Sequence, residues 1–319
     1  MKAAVRFLAR QNNMSEDTFH FDTSDGTRLF CYRWLPEGVP DAVIHIAHGM
    51  GEHAERYSPF ASMLCENNYA VIANDHRGHG KTTTRLGDFG PDGWNRMLRD
   101  LSEMLDTWGD EFPNTPRVLL GHSMGALLAQ QYLTMGVANL DGVILSGSPG
   151  FMHPFQLWFT HNFLRYRCWK GGPDANHEAT REKIFSGANK NFEHQTADPT
   201  GFEWLSRDRL QVLAYVNDPL CGVVPGLKSL RDMFAGCRLA QQKSNVVNIP
   251  KIPVLLISGA DDPVHNSLKN INRMLEVWRS VGLDPVAKFY SGGRHEMLNE
   301  TNRDEVIGDI LEWLGGVIA

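Results

Sequence analysis

The most regular feature of the chain is a series of short, continuously apolar runs separated by longer stretches of helical periodicity. The runs cover residues 42–47, 69–73, 117–120, 142–146, 253–257 and 286–290. Strands this short and this apolar are what a parallel sheet covered on both faces requires, because neither face meets water. Between them, residues 96–108 and 126–135 have the length of crossover helices. In residues 304–314, Val306, Ile307, Ile310, Leu311 and Leu314 recur at helical spacing, which predicts a closing helix packed on the sheet. Ahead of all these, residues 18–21 and 29–32 flank Ser24-Asp25-Gly26, the turn signal of a hairpin. The hairpin and the alternation together predict an α/β fold with one doubly wound, mostly parallel, eight-stranded sheet.

One segment breaks the rhythm. Residues 149–247 show no strand-then-helix alternation; they open on Phe151, Phe155, Trp158, Phe159 and Phe163, pass a Gly171-Gly172-Pro173 break, and continue as mixed helix and loop. The predicted organisation is a lead at 1–16, a core built from 17–148 and 248–319, and an inserted helical cap, or lid, at 149–247. Because the chain returns to sheet strands afterwards, both ends of the insert are expected on one edge of the core.

Composition narrows the function classes. With 319 residues and 42% hydrophobic content there is ample material for a buried core. A formal net charge of −6 argues against a nucleic-acid partner, which needs a basic face. No stretch approaches the roughly 18–20 apolar residues of a membrane span, and Arg6 and Arg10 interrupt any signal-like apolar region at the start. Five cysteines cannot all pair and none forms a C-x-x-C unit, so they read as reduced thiols and the expected location is cytoplasmic.

The sharpest chemical signal is Gly121-His122-Ser123-Met124-Gly125, which follows one predicted strand and opens a predicted helix. That setting is the one a nucleophile elbow demands, its glycines allowing the sharp turn that exposes Ser123 at the strand's end. A serine hydroxyl becomes a good nucleophile only when a base takes its proton and an acid orients the base. Past the 253–257 and 286–290 strands stand Asp261-Asp262 and His295, both on the edge where open α/β sheets bind ligands. On position alone either aspartate serves as the acid. Backbone donors for an oxyanion come from Met124, after the nucleophile, and from Met50, in the glycine loop after the 42–47 strand. His48, Glu52 and His53 do not match the H-x-x-E-H zinc pattern, and His76 and His79 have no cysteine partners at metal spacing; neither a metal nor another cofactor is expected. Glu52, His53 and Arg56 are expected to brace the loop that carries Met50.

These motifs carry a resemblance. His48-Gly49-Met50-Gly51-Glu52-His53 with Arg56-Tyr57, Asp75-His76-Arg77-Gly78-His79-Gly80, the elbow, Tyr215-Val216-Asn217-Asp218-Pro219-Leu220-Cys221, and Gly293-Arg294-His295-Glu296 are similar to the monoacylglycerol lipase and lysophospholipase branch of the α/β-hydrolases. The matches run from about residue 18 to the C-terminus. The resemblance implies a Ser123–Asp262–His295 triad, Met50 and Met124 as oxyanion donors, and an acyl-ester or lipid substrate such as a monoacylglycerol or lysophospholipid. Ala126 stands where this branch usually has a further glycine. The aromatic run Phe151, Phe155, Trp158 and Phe159 is expected either to line an acyl channel or to form the cap's own core, with the cap making transient contact with a membrane surface. The alternatives on the same framework are an esterase of other specificity, a peptidase, an acyltransferase, or a ligand-binding module without catalysis.

Overall fold

The computed structural model describes residues 15–137, 139–172 and 187–318. In chain order the main elements are β1 (Ser15–Asp22), β2 (Arg28–Leu35), β3 (Ala42–Ala47), α1 (Ser58–Glu66), β4 (Tyr69–Asn74), α2 (Gly93–Glu111), β5 (Arg117–His122), α3 (Met124–Leu133), β6 (Gly142–Ser146), α4 (Pro154–Gly171), α5 (Arg209–Asn217), α6 (Leu227–Ala240), β7 (Val254–Gly259), α7 (Lys269–Ser280), β8 (Val286–Tyr290) and α8 (Arg303–Val317). The strands form one eight-stranded sheet in the order β1-β2-β4-β3-β5-β6-β7-β8. β1 and β2 are the predicted hairpin and pair antiparallel, β2 joins β4 antiparallel, and β3 to β8 run parallel.

The alternation along each central strand divides the core. Ile44, Ile46, Val118, Leu120, Leu255 and Ile257 face α1 and α8, whereas Leu119, Val143, Leu145 and Leu256 face α2, α3 and α7. Both faces are covered, which is why the strands read as continuous apolar runs. The closing helix buries Val306, Ile307, Ile310 and Leu314, as its periodicity predicts.

Two expectations need correction. Ser15 and Glu16, assigned to the lead, already pair with Leu35 and Trp34 in β1, because an edge strand extends as far as its partner offers hydrogen bonds; residues 1–14 lie outside the described residues. The ends of the insert also do not share an edge. β6 and β7 are parallel neighbours, so the chain leaves at the C-terminal edge of the sheet and must re-enter at the N-terminal edge. α6 makes that return, buried against the α2–α3 face: Gly236 sits so close to it that a Cβ there would lie 2.0 Å from Trp94 Nε1 and 2.3 Å from Gln131 Oε1. Part of the insert is thus the crossover that any pair of parallel neighbouring strands requires.

Candidate active site

Ser123 occupies the turn between β5 and α3, with φ +52° and ψ −108°, a left-handed conformation that a side-chain-bearing residue adopts only when its surroundings impose it. The surroundings here are glycines. A Cβ on Gly125 would lie 1.9 Å from the carbonyl oxygen of Ala47, and one on Gly121 would lie 2.5 Å from that of Gly125. Bare backbone therefore lets α3 press against β3, and the Ser123 N–H is tied to the Ser146 carbonyl at 2.9 Å. Ala126, the departure from the usual glycine, is fully buried in the core.

The loops that end β7 and β8 bring the other two groups together. His295 Nδ1 lies 2.9 Å from Asp262 Oδ2, with both side chains buried. The other Asp262 oxygen accepts the Val264 N–H at 2.9 Å, which fixes the carboxylate as the cap of a short turn. Asp261 is exposed, its N–H bonded to the Gly293 carbonyl. The ambiguity between the two aspartates is thus resolved in space: only Asp262 meets the imidazole. Burial pushes the His295 pKa down, but the facing Asp262 carboxylate outweighs it, so the net shift is upward from 6.5. His122, its ring tilted 4.8 Å from that of His295, has no such partner and is pushed down by burial and then by the His295 charge.

Met50 and Met124 line one cavity of about 520 Å³ together with Ser123. Met124 is the first residue of α3, where backbone N–H groups and the helix dipole point outward at an anion. The Met50 loop leans on Ser123, since a Cβ on Gly49 would lie 3.3 Å from the Ser123 Cβ. Its shape is held from behind. Glu52 Oε1 accepts the Gly49 N–H at 2.6 Å and the Tyr57 hydroxyl at 2.9 Å, while Arg56 bonds Glu52 and reaches both oxygens of Glu296 at 2.7 Å. Burial pushes the Glu296 carboxyl up, and the Arg56 guanidinium more than reverses it, down to about 2. His48 completes the brace: Nε2 accepts the His76 N–H at 2.9 Å, which leaves the proton on Nδ1 to donate to the Gly49 carbonyl at 2.8 Å. His53, the remaining member of the expected brace, bonds instead to Asp218 of the insert.

The aromatic run is placed otherwise than the channel reading has it. Phe151 is 2% exposed and packs edge-on against Trp278, part of the core. Phe155, Trp158 and Phe159 are 67%, 50% and 57% exposed on the outer face of α4. The reason is helical phase: Leu157 and Leu164, seven residues apart, turn inward, so the aromatics fall on the opposite side. The insert lines the cavity instead with Met152, Gln156, Trp204, Met233 and Phe234. Trp204 was invisible as a site residue in sequence; its ring lies tilted against His295 with centroids 4.9 Å apart.

With this geometry in hand, the comparisons with known proteins fall into place. Residues 38–302 match the family model described as serine aminopeptidase, S33. The chain is 30% identical over 310 residues to a monoglyceride lipase of Homo sapiens, covering 94% of this chain and 90% of that protein. It is also 30% identical to the monoglyceride lipase of Mus musculus, over 97% of this chain and 94% of the relative. Among solved structures, a thermostable carboxyl esterase from Bacillus coagulans in complex with glycerol superposes with a TM-score of 0.85 at 26% identity, covering 96% of this chain and 99% of that one. The chain belongs to the serine aminopeptidase S33 family of α/β-hydrolases, in its monoacylglycerol lipase-like branch.

Proposed function

We propose that the protein is a serine hydrolase that cleaves carboxylic esters of monoacylglycerol- or lysophospholipid-like substrates through an acyl-enzyme. The observation that carries this reading is the buried His295–Asp262 pair at 2.9 Å beside the cavity that holds Ser123, Met50 and Met124. Ser123 Oγ attacks the ester carbonyl while His295 takes its proton, and Asp262 keeps the imidazole oriented and stabilises its charge. The carbonyl oxygen turns its charge toward the Met50 and Met124 N–H groups. The protonated His295 then returns its proton to the departing alcohol, and water, activated by the same imidazole, releases the fatty acid. Membership of a branch with lipase- and esterase-type relatives supports the reaction class. The described cavity lining supports the substrate class: it is uncharged and largely apolar, with Gln156, Asn266 and Asn270 as polar groups suited to a neutral headgroup.

The test uses a fluorophosphonate probe followed by peptide mapping, together with hydrolysis of a monoacylglycerol. The expected result is a single adduct on Ser123 that blocks turnover. An adduct elsewhere with hydrolysis intact refutes the mechanism, and turnover of aminoacyl amides in preference to any acyl ester refutes the substrate class.

A second reading concerns where the substrate is met. Phe155, Trp158, Phe159, Phe163, Tyr166 and Trp169 form an exposed aromatic stripe along α4, with Arg165 and Lys170 beside it. Aromatic rings with basic neighbours suit the headgroup boundary of a lipid surface. Among the described residues no helix is long and apolar enough to cross a membrane, so the contact is a surface one. Replacing Phe155, Trp158 and Phe159 by Ser is expected to weaken sedimentation with anionic vesicles while sparing hydrolysis of a dissolved short-chain ester; equal sedimentation of variant and parent would remove this reading.

A further inference from the structure

Behind the Met50 loop, three side chains that the catalytic reading does not use converge from distant parts of the chain. His53 follows β3 in the core; Asp218 and Cys221 lie in the turn after α5, in the insert. Their donor atoms, a ring nitrogen, a carboxylate oxygen and a thiol sulfur, all lie within 4.8 Å of one another. His53 Nε2 is 2.8 Å from Asp218 Oδ2. The other ring nitrogen, Nδ1, is buried without a hydrogen-bond partner. Cys221 is a free thiol.

We propose that His53, Asp218 and Cys221 form a binding site for a divalent transition-metal cation of the zinc type, separate from the catalytic centre. A nitrogen, oxygen and sulfur donor set selects Zn²⁺ over Mg²⁺ or Ca²⁺, which take oxygen ligands. Zinc sits about 2.3 Å from sulfur and about 2.0–2.2 Å from nitrogen or oxygen, so donors sharing it stand roughly 3–4 Å apart. On binding, the Cys221 thiol gives its proton to solvent as the metal–sulfur bond forms; the imidazole carries its proton on Nδ1 so that the Nε2 lone pair and the Asp218 carboxylate supply the second and third ligands, and water fills the fourth position. The resulting thiolate and the Asp218 carboxylate balance the dication. The neighbouring Arg56 charge is already met by Glu52 and Glu296.

Such a metal joins insert to core at a chosen point. The same turn already donates the Gly222 N–H to the Gly51 carbonyl at 2.8 Å, and the Tyr215 hydroxyl reaches that oxygen at 2.9 Å. Occupancy adds a second tie to the loop that bears Met50 and stabilises the insert on the core.

The experiment is metal binding by the metal-free, full-length protein, read without reference to hydrolysis. After Zn²⁺ addition and gel filtration, metal analysis is expected to find one equivalent retained, with a raised melting temperature. Co²⁺ in its place is expected to give the near-ultraviolet absorption of a thiolate–cobalt bond. Cys221→Ser should abolish that absorption and weaken Zn²⁺ retention tenfold or more, Asp218→Asn should weaken it similarly, and Cys168→Ser should leave both unchanged. Absence of the thiolate–cobalt band in the unaltered protein overturns the proposal whatever the variants do. So does undiminished Zn²⁺ binding in folded Cys221→Ser, the result expected if the ion sits on His295 instead.

Discussion

The cavity has two kinds of wall, and they are specified differently. Its floor is built from strand ends and backbone, Ser123 after β5 and the Met50 loop after β3, with the Asp262–His295 pair from the loops after β7 and β8 buried behind it. At the Ser123 turn the main chain tolerates no added side chain, as the 1.9 Å approach of a Gly125 Cβ to the Ala47 carbonyl demonstrates. Its roof is built from side chains on helices of the insert, among them Met152, Gln156 and Met233. A helix turned about its axis by one residue, about 100°, presents different side chains to the cavity at no cost to its own hydrogen bonds. On the proposed mechanism, chemistry belongs to the wall that cannot shift and substrate choice to the wall that can.

Perturbing the floor should have the largest effects. Ser123→Ala is expected to lower kcat for p-nitrophenyl esters by about 10⁴-fold or more with the circular dichroism spectrum unchanged; full activity in that variant would show that the elbow carries no chemistry. Asp262→Asn should lower kcat by about 10⁴-fold, whereas Asp261→Asn, whose carboxylate is exposed, should change it little. The same pair sets the pH dependence. His295 must be unprotonated to act as the base, and its pKa is raised from 6.5, so kcat/KM should fall with falling pH along a limb centred above 6.5. Asp262→Asn removes the upward influence and leaves burial in command, moving the limb to lower pH; a pH–rate profile of the residual activity checks the direction.

A backbone test comes next. Gly125→Ala should destabilise the protein by more than about 3 kcal/mol, because the added methyl meets main-chain oxygen that cannot move aside; chemical denaturation measures it, and a small loss would mean that α3 and β3 are not held together by this contact. The roof should respond most gently. Each methylene buried is worth about 0.8 kcal/mol, close to a fourfold change in kcat/KM. Met233→Trp, which fills the cavity, should shift preference toward shorter acyl chains by a few such steps. Trp158→Ala, on the outer face of α4, should leave the chain-length profile of dissolved esters unchanged; a shift there would return the aromatics to the acyl channel.

Much of this molecule is legible in its sequence, and the legible part has a common cause. Strands buried on both faces must be apolar throughout, so β3 to β7 announce themselves, and an elbow needs small residues at fixed offsets from Ser123 whatever the rest of the chain does. The order of Ser123, Asp262 and His295 along successive strand ends follows from the sheet. What lay beyond it was phase and convergence. Asp261 and Asp262 are neighbours in the chain and differ only in which one the β7 turn aims at His295. Phe155 and Trp158 have the composition of a lipid channel and the helical phase of an outer face, because Leu157 and Leu164 claim the inner one. Trp204 meets His295, and His53 meets Asp218 across 165 residues, with no local pattern to mark either encounter. Periodicity and steric necessity act over a few residues and are written in the chain by themselves; which side chains meet across the cavity is decided only when the insert has packed on the sheet, since no local rule relates groups so far apart.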